Sequence, residues 1–223
     1  MFSTDARDAL YDIIRMRRDV RAEFSGDVLS EDVLWRVLGA AHHAPSVGNT
    51  QPWDFVVVQD AQRLEQFAAH VAGCRRAFAD SLPEDRKGTF DPIKVEGIVE
   101  SGTGIVVTYD PERGGKHILG RHTIDESGLF SAVLAIQNLW LAATAEGLGV
   151  GWVSFYEEPF LADFVGISDP VRPIAWLCVG PVTALQEVPD LERFGWRTGR
   201  PLTDAVHRDT FAGIALEQDT ADA

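Results

Sequence analysis

The chain is poor in the features that mark several functional classes. It has only two cysteines in 223 residues, Cys74 and Cys178, far apart and in no C-x-x-C pair. Neither a disulfide framework nor a cysteine zinc site is therefore expected. Basic residues are scarce, 20 Lys and Arg against 34 Asp and Glu, for a formal net charge of −14. Binding a polyanion needs an extended basic face, so nucleic acid is not an expected partner. No apolar run approaches the roughly 20 residues that span a bilayer, so no membrane association is expected. The N-terminal MFSTDARDAL lacks the basic-then-apolar layout of a signal peptide, which makes the cytoplasm the expected location. Internal repeats and low-complexity tracts are also missing. A G-x-S-x-G elbow is absent, which removes support for acyl transfer by that route.

What is present suits one soluble α/β-type domain over residues 1–223, with 45% hydrophobic and 24% charged residues. Helical periodicity runs from about Asp5 to Arg18, with Ala6, Leu10, Ile13, Ile14 and Arg17 on one face and Ser3, Thr4 or Asp5 as cap. Ser30 opens a second helix that ends at His42 and His43, before Pro45. A polar turn-rich loop, 44–53, leads into a strand at Phe55, Val56, Val57 and Val58, and Asp60 starts a third helix. Segment 80–92, rich in Pro, Gly, Glu and Lys, reads as a surface excursion or lid. Strands follow at 104–109, 148–155 and 173–179, with a short helix near 159–165. The helix from Glu126 to Glu146 is apolar around most of its circumference and must be buried all round, in the core or between subunits. From about residue 181 the chain reads as an extended arm packed against a partner.

Three guanidinium groups and one carboxylate fall within Arg17-Arg18-Asp19-Val20-Arg21, in a chain that is otherwise acidic. This is either a solvated helix end whose cations suit the dipole, or an anion site with Asp19 held among the arginines. The run Gly147-x-Gly149-x-Gly151 follows a helix and precedes a strand, the reverse of a dinucleotide fingerprint. It is either a helix stop and tight turn or a place where a flat ring lies close to backbone. His117 and His122 have no acidic or cysteine partner at ligand spacing, so no metal is expected there. Trp140, Trp152 and Trp176 read as core residues.

Taken together, an RRxxR at the end of the first helix, an A-P-S-x-x-N-x-Q-P-W loop before V-V-V, and a G-x-G-x-G-W-V-S strand resemble the nitroreductase-like flavoprotein family. The likeness extends over RRDVRAEF, GAAHHAPSVG, GGKHILGRH, AWLCVG and FGWRTGRPL, nearly the whole chain. It implies an α+β fold with a mostly antiparallel central sheet flanked by helices, and a homodimer that exchanges its C-terminal arms. FMN would lie at the dimer interface. By resemblance the phosphate falls to Arg17, Arg18, Arg21 and Arg197. His42, Ser46, Val47, Gly48, Asn49, Gln51, Leu139, Gly151 and Trp152 would border the flavin.

Ordinary members of the family carry a small residue where this chain has Asp19. Asp19 together with Ser154 is similar to the branch that consumes FMN, with O2 as co-substrate, to make 5,6-dimethylbenzimidazole and erythrose 4-phosphate. The resemblance makes Asp19 the base near the ribityl C1′ carbon and Ser154 an orienting hydroxyl, with reduced FMN supplied by a separate reductase. S-V-G-N-T-Q-P-W, with Asn49 and Gln51, is closer to the general nitroreductase loop. The alternatives are a conventional NAD(P)H-dependent FMN nitroreductase or quinone reductase, and a flavin carrier or sensor without turnover.

Overall fold

Residues buried on both faces form the middle of the sheet. Strand β2 (Gly104–Tyr109) is buried along its whole length and β4 (Arg172–Pro181) along most of it. The computed structural model describes residues 2–211. Within it, β1 (Phe55–Val58), β2, β4 and β3 (Leu148–Val153) lie side by side in that order, every pair antiparallel. Strand β1 is therefore an edge and only half-buried.

Alternation along the central strands sorts side chains to two faces. Ile105, Val107, Ala175, Leu177 and Val179 join the core formed with α2 (Glu31–His42) and α5 (Ser127–Ala145). Val106, Trp176 and Cys178 join the opposite core, with Phe67 of α3 (Ala61–Ser81) and Leu161 of α6 (Glu158–Val165). There Trp176 stacks on Phe67 with ring centroids 3.9 Å apart. The α+β architecture expected from the sequence is the one observed. Asp60 caps α3 by accepting from the Arg63 N–H, and Ser3 caps α1 (Thr4–Met16) by accepting from that of Ala6. Ser30 holds the N-cap position of α2 without a side-chain cap bond.

The structure corrects two expectations and adds detail to two. Within one chain, helix α5 is buried on one side: Ala132, Ala135, Ile136, Leu139 and Ala143 are inside, but Phe130 is 56% exposed and Val133 and Leu134 are also open. One chain supplies packing for only one side of it. The same helix, at 19 residues, is long and apolar enough to cross a membrane by length and composition, contrary to the reading that no run comes close. It packs instead against α2, β2 and β3 as a core helix. Segment 80–92, read as a surface excursion or lid, contains α4 (Glu84–Phe90). Phe90 is buried there, its ring edge-on to Phe78 and under the Arg75 guanidinium.

The tail, finally, returns over its own chain up to Trp196, which meets Phe90 at 6.0 Å and lies under Arg86. A few specific anchors (Thr183 N–H to Glu23 O, Gln186 to the Glu23 carboxylate) hold it where apolar periodicity is lacking. Residues 212–223 of the expected arm lie outside the described residues.

The chain leaving α1 turns along the outer edge of β3. Asp19 and Val150 form a parallel bridge, with the Val20 N–H donating to Val150 O at 2.9 Å. The approach is possible only because β3 is stripped of side chains at this edge. A Cβ on Gly151 would sit 2.1 Å from Arg21 Nη1 and 2.2 Å from Val20 O, and one on Gly149 would touch Val20 and Val182. Of the two readings of the glycine run, Gly147, at φ +75°, is the turn, while Gly149 and Gly151 give close approach to residues 20 and 21 of the same chain. Gly151→Ala is expected to cost about 1–3 kcal/mol in chemical denaturation, since the clash includes backbone. Gly39→Ala, in α2 with open space at its Cβ, should be neutral or stabilising by about 0.5–1 kcal/mol.

Candidate functional site

Asp19, Arg21, Trp152 and Ser154 converge on one cavity of about 360 Å³, at the edge where residues 18–21 lie along β3. Asp19 is fixed by both carboxylate oxygens. Oδ1 accepts from the Trp152 N–H at 3.0 Å and Oδ2 from Arg21 Nη2 at 2.6 Å. Arg21 is buried, and its remaining donors go to Trp152 O at 2.6 Å and Val20 O at 3.1 Å. It is thus a mounting for the carboxylate, facing inward.

The Asp19 side chain keeps 49% of its surface open toward the cavity while protein closes round it on the other sides. Burial raises its pKa above the ordinary aspartate value. The Arg21 charge, the Trp152 N–H and the Arg17 charge pull the other way, and burial prevails. A carboxyl group poised in this way can exchange a proton with whatever fills the cavity.

Arg18 is committed differently. Its guanidinium donates to Gln186 O at 2.8 Å and Glu187 O at 2.5 Å, and also to Arg15 O and Arg17 O. It clips the tail across the cavity mouth, where Val188, Pro189, Asp190 and Leu191 form the far wall. Arg17 lies over the Trp140 ring at 5.0 Å, and the Trp140 indole N–H donates to Arg18 O. Arg197 is exposed on the tail.

The other sequence candidates fall elsewhere. Loop 46–51 packs on α5, with the Val47 N–H donating to Ser131 Oγ and the Gln51 N–H to Ser46 Oγ. Gln51 also donates to His42 O, and His42 Nδ1 accepts from the Trp53 indole at 3.2 Å. Gly48, Asn49 and Gln51 all have positive φ. Two non-glycine residues in that region within three positions mark stored backbone strain, of the kind found where a loop presents groups to a ligand. None of these residues lines the Asp19 cavity of the same chain. Leu139 is a fully buried core residue. His117 and His122 line a separate cavity in loop 111–125.

Sequence reading missed Lys94, Phe155 and segment 186–191, all of which line the Asp19 cavity. Lys94 carried no motif, and nothing in the sequence tied Arg18 to carbonyls 168 residues away. Trp152, expected in the core, is only half-buried and separates this cavity from a second one of about 490 Å³ beside Leu129 and Val133.

The nitroreductase family model matches residues 14–181, from the arginine cluster to the end of β4. The chain belongs to the nitroreductase family. It is 37% identical to a 5,6-dimethylbenzimidazole synthase of Rhodospirillum rubrum over 201 residues, covering 90% of this chain and 95% of the relative. A 5,6-dimethylbenzimidazole synthase of Rhodobacter capsulatus is 31% identical over 90% of this chain and 96% of its own length. Among solved structures, an iodotyrosine deiodinase bound to FMN and 3-iodo-L-tyrosine superposes with a TM-score of 0.71 at 23% identity, covering 91% of this chain and all of that one. At that identity the likeness concerns the fold.

If the Arg18 clip holds the cavity wall, Arg18→Ala should speed amide exchange over 183–197 by roughly ten- to a hundredfold, matching about 1.5–3 kcal/mol for hydrogen bonds to a charged donor. Exchange in β2 and β4 should not change.

Proposed function

We propose that this chain is a 5,6-dimethylbenzimidazole synthase, an enzyme that takes reduced FMN and O2 and releases 5,6-dimethylbenzimidazole, the lower ligand of vitamin B12, with erythrose 4-phosphate as the sugar product. The observation that carries the reading is Asp19, a carboxylate fixed at both oxygens, half-open to a cavity, and with its proton affinity raised by burial. The synthase relatives support the same reading.

The residues present fit a flavin: a half-open carboxylate, an indole edge at Trp152, a hydroxyl at Ser154 and the cation of Lys94 border one cavity, whose volume is within the usual ligand range of about 300–1,000 Å³. Bound reduced FMN supplies the ring system to be broken and, with O2, the oxidising chemistry. Asp19 takes the proton from the ribityl C1′ carbon, each oxygen having a lone pair beyond the one it already shares. Arg21 and the Trp152 N–H aim it. Ser154 orients the reacting ring by its hydroxyl. The clipped tail excludes water, so that the oxidised ring fragments before it can leak. Phosphate recognition falls to Arg17 and Arg197, with Arg18 and Arg21 shaping the cavity wall.

A second copy of the chain completes the site in this reading. Helix α1 has no buried residue, although Leu10 and Ile14 repeat on one face, and α5 leaves Phe130, Val133 and Leu134 open. Such faces suit a homodimer, whose partner would bring His42 and loop 46–51 to the flavin. A separate flavin reductase supplies reduced FMN.

Incubation of the purified protein with reduced FMN in air, read by mass spectrometry, should yield 5,6-dimethylbenzimidazole, and Asp19→Asn should lower the yield about 10²-fold or more. No product from the wild type, or undiminished product from Asp19→Asn, would sink the proposal. NAD(P)H consumption with a nitroaromatic would instead favour the conventional reductase, and binding without consumption the carrier. The base must be ionised, so activity should rise with pH on an acid limb above the 3.8 of an ordinary aspartate. Arg21→Met removes a charge that lowers this pKa, so its limb should move to higher pH.

A further inference from the structure

Helix α3 carries His70 and Cys74 one turn apart, so both side chains project from the same face. The segment leaving β3 brings Glu157, the residue before α6, to the same point. Glu157 Oε2 lies 2.6 Å from His70 Nε2 and 3.3 Å from Cys74 Sγ, and Sγ lies 3.6 Å from Nε2. We propose that His70, Cys74 and Glu157 bind a zinc ion, a site separate from the Asp19 chemistry and independent of the function proposed above.

The donor set is the first argument. An imidazole, a thiol and a carboxylate together suit a borderline-soft divalent ion, and three protein ligands leave a fourth position for water. Geometry is the second. With Zn–S of about 2.3 Å and Zn–N or Zn–O of about 2.0–2.1 Å, a tetrahedral ion needs S···N and S···O edges of about 3.5 Å and an N···O edge of about 3.4 Å. Both sulfur edges are already close to that length. Only the His70–Glu157 edge must open, from 2.6 Å by about 0.8 Å.

Glu157 is the partner free to move, because its side chain is 66% exposed whereas that of His70 is 20% exposed. The His70 ring is also fixed in orientation, lying flat on Phe160 at 3.5 Å with 2° between planes. The fourth position has room: Cys74 and Glu157 line a cavity of about 410 Å³ that runs on to Tyr156, Phe155 and Ser154.

A nucleophilic Cys-His-carboxylate triad would use the same three residues, but here the His70 Nε2 that would activate the thiol lies against Glu157 at 2.6 Å, and the thiol donates to the same carboxylate. An arriving zinc ion would take the place of that thiol proton, which leaves to solvent, and would tie α3 to segment 154–157.

The test uses the full chain, stripped with a chelator and titrated with Co2+ as a spectroscopic substitute for zinc. One equivalent should give thiolate-to-cobalt charge-transfer absorption. Cys178 is fully buried on β4, so the band reports Cys74, and Cys74→Ser should abolish it. His70→Ala and Glu157→Gln should each weaken Zn2+ affinity by more than about tenfold. Zn2+ should raise Tm in the wild type and not in Cys74→Ser. Absence of the band in a folded wild-type protein, or equal Zn2+ affinity in wild type and Cys74→Ser, would overturn the proposal and leave the trio a hydrogen-bonded surface cluster.

Discussion

The contact on which the rest of the candidate site depends is the seating of residues 19–21 against β3. A strand edge normally offers backbone groups to any extended chain, and here the edge is taken by the chain's own segment through the Val20 N–H and Val150 O. Two glycines let the segment come close: Arg21 and Val20 O take the space of a side chain at Gly151, and Val182 and Val20 that at Gly149. Asp19 then has one possible direction, toward the cavity, and Trp152 and Ser154 follow from the same strand. Arg18, on the far side of the bridge, faces outward and gathers the tail. Successive residues along an extended segment point to opposite sides, which puts Asp19 and Arg21 on one side and lets the arginine reach the carboxylate.

Much of this was legible in the sequence because it is local. Helix starts at Ser3 and Asp60, the strands at 55–58 and 104–109, and the turn at Gly147 each follow from short-range chemistry that the structure repeats. The RRxxR cluster was also visible, and so was its ambiguity between helix end and anion site. What could not be read was how the arginines divide their donors, since that depends on carbonyls at 152, 186 and 187 brought in by tertiary packing. The glycine pattern announced both a turn and a close approach, and the structure has Gly147 in the turn and residues 20 and 21 against Gly149 and Gly151. Lys94 and the His70–Cys74–Glu157 trio were invisible because no spacing rule links a helix to a loop more than 80 residues later.

The two sides of α5 have different surroundings. A helix apolar on most sides satisfies one side with α2 and the sheet and leaves Phe130, Val133 and Leu134 open. Helix α1 repeats the situation with every apolar residue accessible. Marginal stability does not tolerate such faces without cause, because each open side chain forfeits roughly 1.5–3 kcal/mol that burial would supply. The cavity beside Leu129 and Val133 also borders Trp152 and Ser154, so the open face of α5 reaches the edge of the candidate site.

A base must be stable in both protonation states, and the surroundings of Asp19 meet that condition in an unequal way. An arginine paired only with a carboxylate becomes a buried, uncompensated charge when the carboxylate takes a proton. Arg21 avoids this, since it also donates to the carbonyls of Trp152 and Val20. Protonation of Asp19 therefore weakens one of its hydrogen bonds and leaves the guanidinium solvated by backbone. The carbonyls lower the cost of the protonated state, burial raises the cost of the ionised one, and the Arg21 charge keeps the ionised one accessible. The three donations of Arg21 thus aim the Asp19 carboxylate and keep both of its protonation states within reach.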